Sequence, residues 1–281
     1  MSMPVPVYVI NLDRSKDRLA HIREQASHFG FAIIRIPAVL GMRIPTDLQH
    51  YFLHIQKRRR PIIERGAIGC YASHLKTWKD FVDSGAKAAL VLEDDALLPE
   101  DLPQTIVQAL AALPVGWDYV HLSRPPRRAY KEMTKLACGR SIIRYSKIPA
   151  GTLGYLISQS GAKKLLNEDI ARFWSVDIDT RRPWLFGLDV YGMVPEPIDT
   201  GPFATTIRLG HKRSPRRGLP RPTRLSWTNM PLETPRALLY YIRTLGPTWW
   251  LRCATQNFAS KLGLGERSKV QLAKEPSLAP R

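Results

Sequence analysis

The sequence has few cysteines, and they are widely separated. The 281-residue chain contains only Cys70, Cys138 and Cys253, and no two of them lie at the spacing of metal ligands. A sparse, odd-numbered set of this kind indicates no disulfide framework and favours a reducing compartment.

Long apolar runs are also missing. No segment reaches the roughly 18 consecutive apolar residues that a membrane-spanning helix requires. The N-terminal segment lacks the positively charged start of a signal peptide and is typical of a first strand. We therefore expect a soluble or peripheral protein in the cytoplasm.

Acidic residues are scarce relative to basic ones. The chain has 24 Asp and Glu against 42 Lys and Arg, which gives a formal net charge of +18. Its hydrophobic fraction of 44% is enough for a packed core and excludes a fully disordered chain. The charge indicates an anionic partner, such as a nucleic acid, a phosphorylated ligand or an anionic membrane.

The composition changes near residue 205. Residues 208–224 contain several Lys and Arg and no acidic residue, and Pro and Gly are frequent there. This change predicts a folded domain over residues 1–205 and a basic Pro/Arg-rich arm with an amphipathic aromatic tail over residues 206–281. The tail, residues 235–262, could lie in a membrane interface or pack back onto the domain.

Predicted strands and helices alternate along the first 200 residues. This order predicts an α/β fold with a mostly parallel sheet flanked by helices. The clearest strand candidates are residues 5–10, 31–36, 88–92 and 117–122, and the clearest helix candidates are residues 15–29, 67–81 and 103–113. Residues 41–65 and 123–139 are predicted to be irregular.

Three consecutive carboxylates follow the apolar run of residues 88–92. Glu93 and Asp95 are expected to share one face of the strand, with Asp94 on the other. Ligands of open α/β sheets bind at the carboxyl ends of strands, and clustered carboxylate oxygens suit Mg²⁺ or Mn²⁺. The alternative is a solvated acidic turn that caps the next helix.

The segment GCYASH places Cys70 and His74 one helical turn apart, on the same face as Trp78. A Cys–His pair can indicate a nucleophile or a metal site, but neither a third ligand nor an orienting acid is visible nearby in the sequence. We expect Cys70 to be a core residue. Ser73 and His74 are expected either to line a ligand pocket or to be structural.

Five ordered segments carry a resemblance to a known family. They are VYVINLDRSKDR (7–18), GAIGCYASHLKTW (66–78), LVLEDD (90–95), AGTLGYLIS (150–158) and VDIDTRRPWLFGLDVYGMVPEP (176–197). Together they resemble glycosyltransferase family 25, over roughly residues 5–200. The resemblance implies a GT-A-type fold for the domain over residues 1–205, a UDP-sugar donor, a divalent metal and inversion at the anomeric carbon.

The resemblance also implies site residues. Glu93 and Asp95 match the acidic metal motif, and the metal would be Mn²⁺ or Mg²⁺. The expected donor-binding residues are Asn11, Asp13, Arg14, Arg18, Ser73, His74, Asp94, Thr152 and Tyr155. For the first segment, the alternative is that Asp13 caps a helix on which Arg14 and Arg18 are solvated charges.

Inversion in one displacement needs a base beside the acceptor hydroxyl. Asp177 and Asp179 match the family's later acidic motif and would share a face if that stretch is extended, with Asp177 slightly preferred. Asp189 is a third, weaker candidate. The alternative is that these carboxylates cap helices.

The sequence therefore predicts a metal-dependent inverting transferase that moves a hexose, expected to be galactose, from a UDP-sugar to a lipid-linked oligosaccharide of the lipooligosaccharide or lipopolysaccharide type. The basic tail would hold it peripherally on the inner face of the cell membrane. Two rival hypotheses are a nucleic-acid-binding protein and a non-catalytic sugar-nucleotide-binding scaffold. No nucleic-acid motif accompanies the charge, so no specific nucleic-acid partner is expected.

Overall fold

A computed structural model describes residues 3–52, 64–203 and 235–261. The strands are β1 (Val7–Asn11), β2 (Ile34–Pro37), β3 (Ala88–Glu93), β4 (Ala96–Leu97), β5 (Tyr119–His121), β6 (Tyr130–Lys135), β7 (Ser141–Tyr145), β8 (Gly154–Ser158), β9 (Val190–Val194) and β10 (Asp199–Thr200). The helices are α1 (Lys16–His28), α2 (Arg65–Asp83), α3 (Leu102–Ala112), α4 (Gln159–Leu165), α5 (Val176–Asp179), α6 (Pro183–Phe186), α7 (residues 235–245) and α8 (Pro247–Lys261), with a 3-10 helix over Thr46–Phe52.

Eight of the strands form one sheet in the order β2-β1-β3-β8-β5-β9-β7-β6. The pairs β1–β2, β1–β3 and β5–β9 are parallel, whereas β8 is antiparallel to both β3 and β5. Strand β7 is antiparallel to β9 and β6. Only β7 and β8 therefore run against the other six strands, and the predicted α/β fold with a mostly parallel sheet is confirmed. Strands β4 and β10 form a separate antiparallel pair.

The sheet is covered on both faces, which explains why the apolar run before Glu93 is continuous rather than alternating. Ala89 and Val91 of β3 pack into the core that includes α2. Leu90 and Leu92 face the opposite core, which includes α1 and α3. The strand is buried on both sides and brings the carboxylates that follow it to one edge of the sheet.

Two local predictions differ from the structure, and the condition attached to a third is not met. Strand β6 lies inside the predicted loop 123–139 and pairs with β7 at the sheet edge, through a register shift between Glu132 and Thr134. The 3-10 helix lies in the predicted irregular segment 41–65. The stretch around Asp177, which would place Asp177 and Asp179 on one face only if it were extended, forms the short helix α5.

Helices α7 and α8 contact the main domain. Leu245, Trp249 and Cys253 are buried, and the Lys131 ammonium on β6 donates to the Leu245 carbonyl. The Asn257 side chain accepts from the Ala129 amide. Of the two alternatives for the tail, packing back onto the domain therefore holds for its described part, while the arm, residues 206–234, lies outside the described residues. Within the described ranges, no helix is long and apolar enough to cross a bilayer.

Candidate functional site

The candidate site lies at the sheet edge where β1 and β3 both end. Because these strands are parallel, Asn11 and Glu93 emerge side by side. Strand β8 runs the other way, so the loop before it reaches the same edge, and the Glu93 amide donates to the Leu153 carbonyl at 2.9 Å. At this edge α2, the β3–β4 turn and the loop that contains Thr152 meet around Glu93, and we call this region the cleft.

A buried network joins the first motif to the acidic turn. Asn11 donates to the Asp94 carboxylate at 2.8 Å, and Arg18 donates to its other oxygen at 2.9 Å. Arg18 also lies 3.4 Å from an Asp95 oxygen and stacks over the Phe203 ring. Arg18 is therefore not a solvated helix charge, because its guanidinium fixes the turn that follows β3.

Strand alternation ends at Glu93. Asp94 and Asp95 form a turn, and Arg18 contacts both of them, so the expected separation of Asp94 onto the opposite face is wrong for this pair. The backbone has left the extended conformation at Asp94, and the two-residue side-chain period no longer applies.

The Glu93 carboxylate faces the cleft from the end of β3. Thr152 donates to its Oε1 at 2.6 Å, and His74 Nε2 lies 3.7 Å from the same oxygen. Burial raises the pKa of Glu93, but the nearby His74 and Thr152 and the charge of Arg124 outweigh that effect, so its pKa is lowered overall. Glu93 is thus ionised at neutral pH.

Asp95 has the features of an incomplete cation site. Its Oδ1 is buried and has no hydrogen-bond partner among the described residues. Burial, and then the negative charge of Glu93, raises the pKa of Asp95, and Arg18 opposes the rise. A carboxylate oxygen without a partner beside a second carboxylate suits a hard divalent cation. The residues present therefore fit the expected Mn²⁺ or Mg²⁺.

A second grouping involves residues that the sequence did not connect. Cys70, His74 and Glu93 place one ligand atom each within 4.8 Å of one another. The sequence prediction found no third ligand beside Cys70 and His74, and the structure corrects this because β3 brings Glu93 to them. Burial raises the pKa of the Cys70 thiol well above its usual value, and the carboxylates of Glu93 and Asp177 add to the rise.

Seven of the nine expected donor-binding residues are buried, and the hydroxyls of two of them, Ser73 and Tyr155, are engaged within the core. The Ser73 hydroxyl donates to the Gly69 carbonyl and accepts from the Val39 amide, which ties α2 to the segment after β2. A Cβ atom on Gly69 would lie 2.4 Å from the Val39 carbonyl oxygen, so this close crossing requires glycine. Tyr155 is fully buried, and its hydroxyl accepts from Trp78 Nε1 at 2.8 Å. Neither hydroxyl reaches the cleft.

The loop after β1 is more open. Asp13 and Arg14 are exposed, and Asp13 is paired with Arg35 of β2. Arg35 also donates through Nε to the Asn11 side chain at 3.0 Å. Sequence reasoning did not identify Arg35 as a residue of the candidate site, although a charged residue within an apolar strand of an α/β sheet can indicate one. It also missed Arg124. This side chain lies so close to Gly151 that a Cβ atom at position 151 would be 2.8 Å from the Arg124 Nε.

The base candidates on α5 have different surroundings. Asp179 is buried, and its oxygens accept from the Tyr71 hydroxyl at 3.1 Å and from Arg182 at 3.5 Å. Burial raises the pKa of Asp179 to about 6, against the charge of Arg182. Asp177 is half-buried and accepts from Ser175. The condition under which the two carboxylates would share a face, an extended segment, is not met, because the segment is helical.

Asp189 lies at the wrong edge of the sheet for a base. It precedes β9, which is parallel to β5, so it stands at the amino end of a strand, while the cleft is at the carboxyl ends. Arg144 donates to its Oδ2 at 3.0 Å, and Tyr191 donates to the same oxygen at 3.1 Å. The prediction of Asp189 as a third base candidate is therefore corrected: its carboxylate is a structural partner of Arg144.

Comparisons with known proteins agree with this geometry. The sequence model described as "Glycosyltransferase family 25 (LPS biosynthesis protein)" matches residues 5–180. A glycosyltransferase 25 family member of Aedes aegypti is 31% identical over 173 residues, which are 58% of this chain and 28% of that protein. Procollagen galactosyltransferase 1-B of Xenopus laevis is 29% identical over 182 residues, 61% of this chain and 30% of that protein. The chain belongs to glycosyltransferase family 25.

The matched segment is only a part of each relative. Procollagen galactosyltransferase 2 of Homo sapiens is 28% identical over 171 residues, which are 57% of this chain and 27% of that protein. The chain thus spans less than a third of the length of these relatives. Family membership rests on residues 5–180, and the mixed α/β architecture of this chain is compatible with a GT-A fold.

Proposed function

We propose that this chain is an inverting galactosyltransferase that uses a UDP-sugar donor and a divalent cation. The observation that carries the proposal is the buried, unpartnered Oδ1 of Asp95 beside Glu93 at the carboxyl end of β3. Family membership and the galactosyltransferase names of two matched relatives support the reaction class and the sugar.

Glu93 and Asp95 would hold the cation, with the donor diphosphate completing its shell. A cation there neutralises the charge that develops on the leaving diphosphate. Arg18 orients the acidic turn by its contacts to Asp94 and Asp95, and Thr152 orients Glu93. The contacts from Arg18 and Thr152 hold the carboxylates in place before the donor binds.

Asp177 is the better candidate for the base that takes the acceptor proton. Both Asp179 oxygens already accept hydrogen bonds within the core, whereas Asp177 is half-buried. The short helix α5 that carries Asp177 contacts α2, because Tyr71 donates to Asp179, and the charge of Asp177 adds to the raised pKa of Cys70 on α2. Asp179 then acts as a positioning residue that fixes α5 against Tyr71.

The acceptor is proposed to be a lipid-linked saccharide of the lipopolysaccharide type. The description of the matched family supports this class, and the net charge of +18 favours an anionic surface. Flotation with liposomes that contain anionic lipid compares the full chain with a truncation before residue 206. We expect the truncated chain to be recovered less, and equal recovery would refute membrane attachment by residues 206–281.

A panel of UDP-sugars tests the reaction. We expect turnover with UDP-galactose that requires Mn²⁺ or Mg²⁺ and falls at least about 100-fold in Asp95→Asn, because a charge-stabilising group is lost. Asp83→Asn changes an exposed carboxylate at the end of α2 and should leave turnover unchanged. Turnover that persists without metal, or in Asp95→Asn at the wild-type rate, would refute the proposed site.

A further inference from the structure

Three side chains of different ligand chemistry converge beside the cleft. Cys70 and His74 lie one turn apart on α2, and Glu93 approaches from the end of β3, so that their ligand atoms lie within 4.8 Å of one another. His74 Nε2 and Glu93 Oε1 are 3.7 Å apart. Around a tetrahedral zinc ion with bonds of about 2.0–2.3 Å, neighbouring ligand atoms lie about 3.3–3.8 Å apart. The His74–Glu93 spacing already suits such an ion, and the widest spacing in the cluster would have to close by roughly 1 Å.

The His74 side chain is fully buried, and its Nε2 has no hydrogen-bond partner within residues 3–52, 64–203 and 235–261. A buried polar atom without a partner costs free energy unless a ligand satisfies it. Its other nitrogen, Nδ1, lies 2.9 Å from the Tyr155 hydroxyl, and in the tautomer that carries the proton on Nδ1 this nitrogen donates to the hydroxyl. That tautomer aims the Nε2 lone pair at the Glu93 carboxylate, an arrangement that a cation between the two atoms would stabilise.

The surroundings resemble those of metal-binding residues in general. A ligating histidine usually donates its second N–H to a fixed acceptor, and Tyr155 offers one here because Trp78 Nε1 holds its hydroxyl at 2.8 Å. A ligating carboxylate is usually hydrogen-bonded as well, and Thr152 supplies that contact to Glu93.

We infer that Cys70, His74 and Glu93 form a binding site for a zinc-class transition metal, with the fourth position open. Thiolate and imidazole ligands select zinc and similar ions over Mg²⁺ or Mn²⁺, which prefer oxygen. The site thus differs in chemistry from the cation of the proposed function and does not depend on it. Because Glu93 belongs to both sites, an ion bound at this one competes with the donor-binding cation for that carboxylate.

Cobalt(II) titration of the full chain, stripped of metal with a chelator and without nucleotide, tests the inference. We expect one equivalent to bind with a thiolate-to-cobalt charge-transfer band, and zinc to displace it. Cys70→Ser should abolish the band and weaken zinc binding more than 100-fold. Loss of a hydrogen-bond partner of a metal ligand, by comparison, weakens metal binding roughly 10–100-fold. Glu93→Gln should weaken binding while keeping the band.

Cys138→Ser is the matched control, since Cys138 is also a free, half-buried cysteine. It should keep both the band and the affinity, and far-ultraviolet circular dichroism verifies that every variant is folded. The inference fails if the wild-type chain shows no sulfur charge-transfer band, or if Cys70→Ser shows the same band. Because no sugar nucleotide is present, neither outcome depends on whether the chain is a transferase.

Discussion

Replacing Arg18 tests whether the acidic turn depends on a buried ion pair. In Arg18→Met the alkyl stem is largely kept, but the guanidinium that contacts Asp94 at 2.9 Å and Asp95 at 3.4 Å is lost. The side chains of Arg18 and Asp94 are only 7% and 11% exposed, so water replaces little of what is removed. Asn11 still donates to Asp94 in the variant.

The expected cost follows from the burial. Removing one partner of a buried pair leaves an uncompensated charge and typically costs about 3–5 kcal/mol. Because Asn11 remains and Asp95 is partly solvated, we expect a cost near the lower end, about 3 kcal/mol of unfolding free energy. The double variant Arg18→Met/Asp94→Asn no longer buries that charge. Its loss of unfolding free energy should therefore be about 2 kcal/mol smaller than the sum of the losses in the two single variants.

Guanidinium chloride unfolding of the wild type, both single variants and the double variant measures these quantities. Arg23→Met is the control, because Arg23 is exposed on the same helix and its loss should change stability by less than about 0.5 kcal/mol. A cost below about 1 kcal/mol for Arg18→Met, or simple additivity with Asp94→Asn, would refute the reasoning.

Three other outcomes are expected. Asp179 has a pKa of about 6 in the folded chain because it is buried, so its own contribution to stability should be fully present below about pH 4 and should be lost, by up to about 3 kcal/mol, as the pH rises to about 6. The stability difference between the wild type and Asp179→Asn, measured by unfolding at stepped pH, should change by this amount over that range, and a pH-independent difference would contradict it. Asp177→Asn should lower kcat roughly 10²–10⁴-fold with little change in the donor KM, as measured by steady-state kinetics. A wild-type kcat in this variant would exclude Asp177 as the base. Trp249→Ala should cost about 3 kcal/mol in thermal or denaturant unfolding, against less than about 0.5 kcal/mol for the exposed Leu251→Ala, and equal small costs would show that α8 does not stabilise the domain.

The sequence predicted the elements whose pattern is locally complete. Strand β3 is an unbroken apolar run, and α2 repeats its apolar residues at the helical period, so both were located within a few residues. Strand β6 was missed, because YKEMTK has little apolar alternation and pairs at the sheet edge, where one side needs no burial.

The candidate site was predictable only in part, since some of its contacts arise from topology. The periodicity of β8 says nothing about its direction, yet that direction brings Thr152 to Glu93. The short segment VDID fits an extended pattern as well as one helical turn, and the structure has the helix. The grouping of Cys70 with Glu93 depends on packing between α2 and β3, which residue spacing does not reveal.

The reversed strand β8 has a consequence for how the site can be lost. It is the junction between the three N-terminal strands of the sheet and the remaining four, because β3 and β5 each pair with β8 and not with each other. The contact between Thr152 and Glu93 spans this junction. A fluctuation that separates β3 from β8 would detach Thr152 from Glu93 and leave this proposed cation ligand without the contact that orients it, while both portions of the sheet stay folded, so activity should be lost on warming before the chain melts.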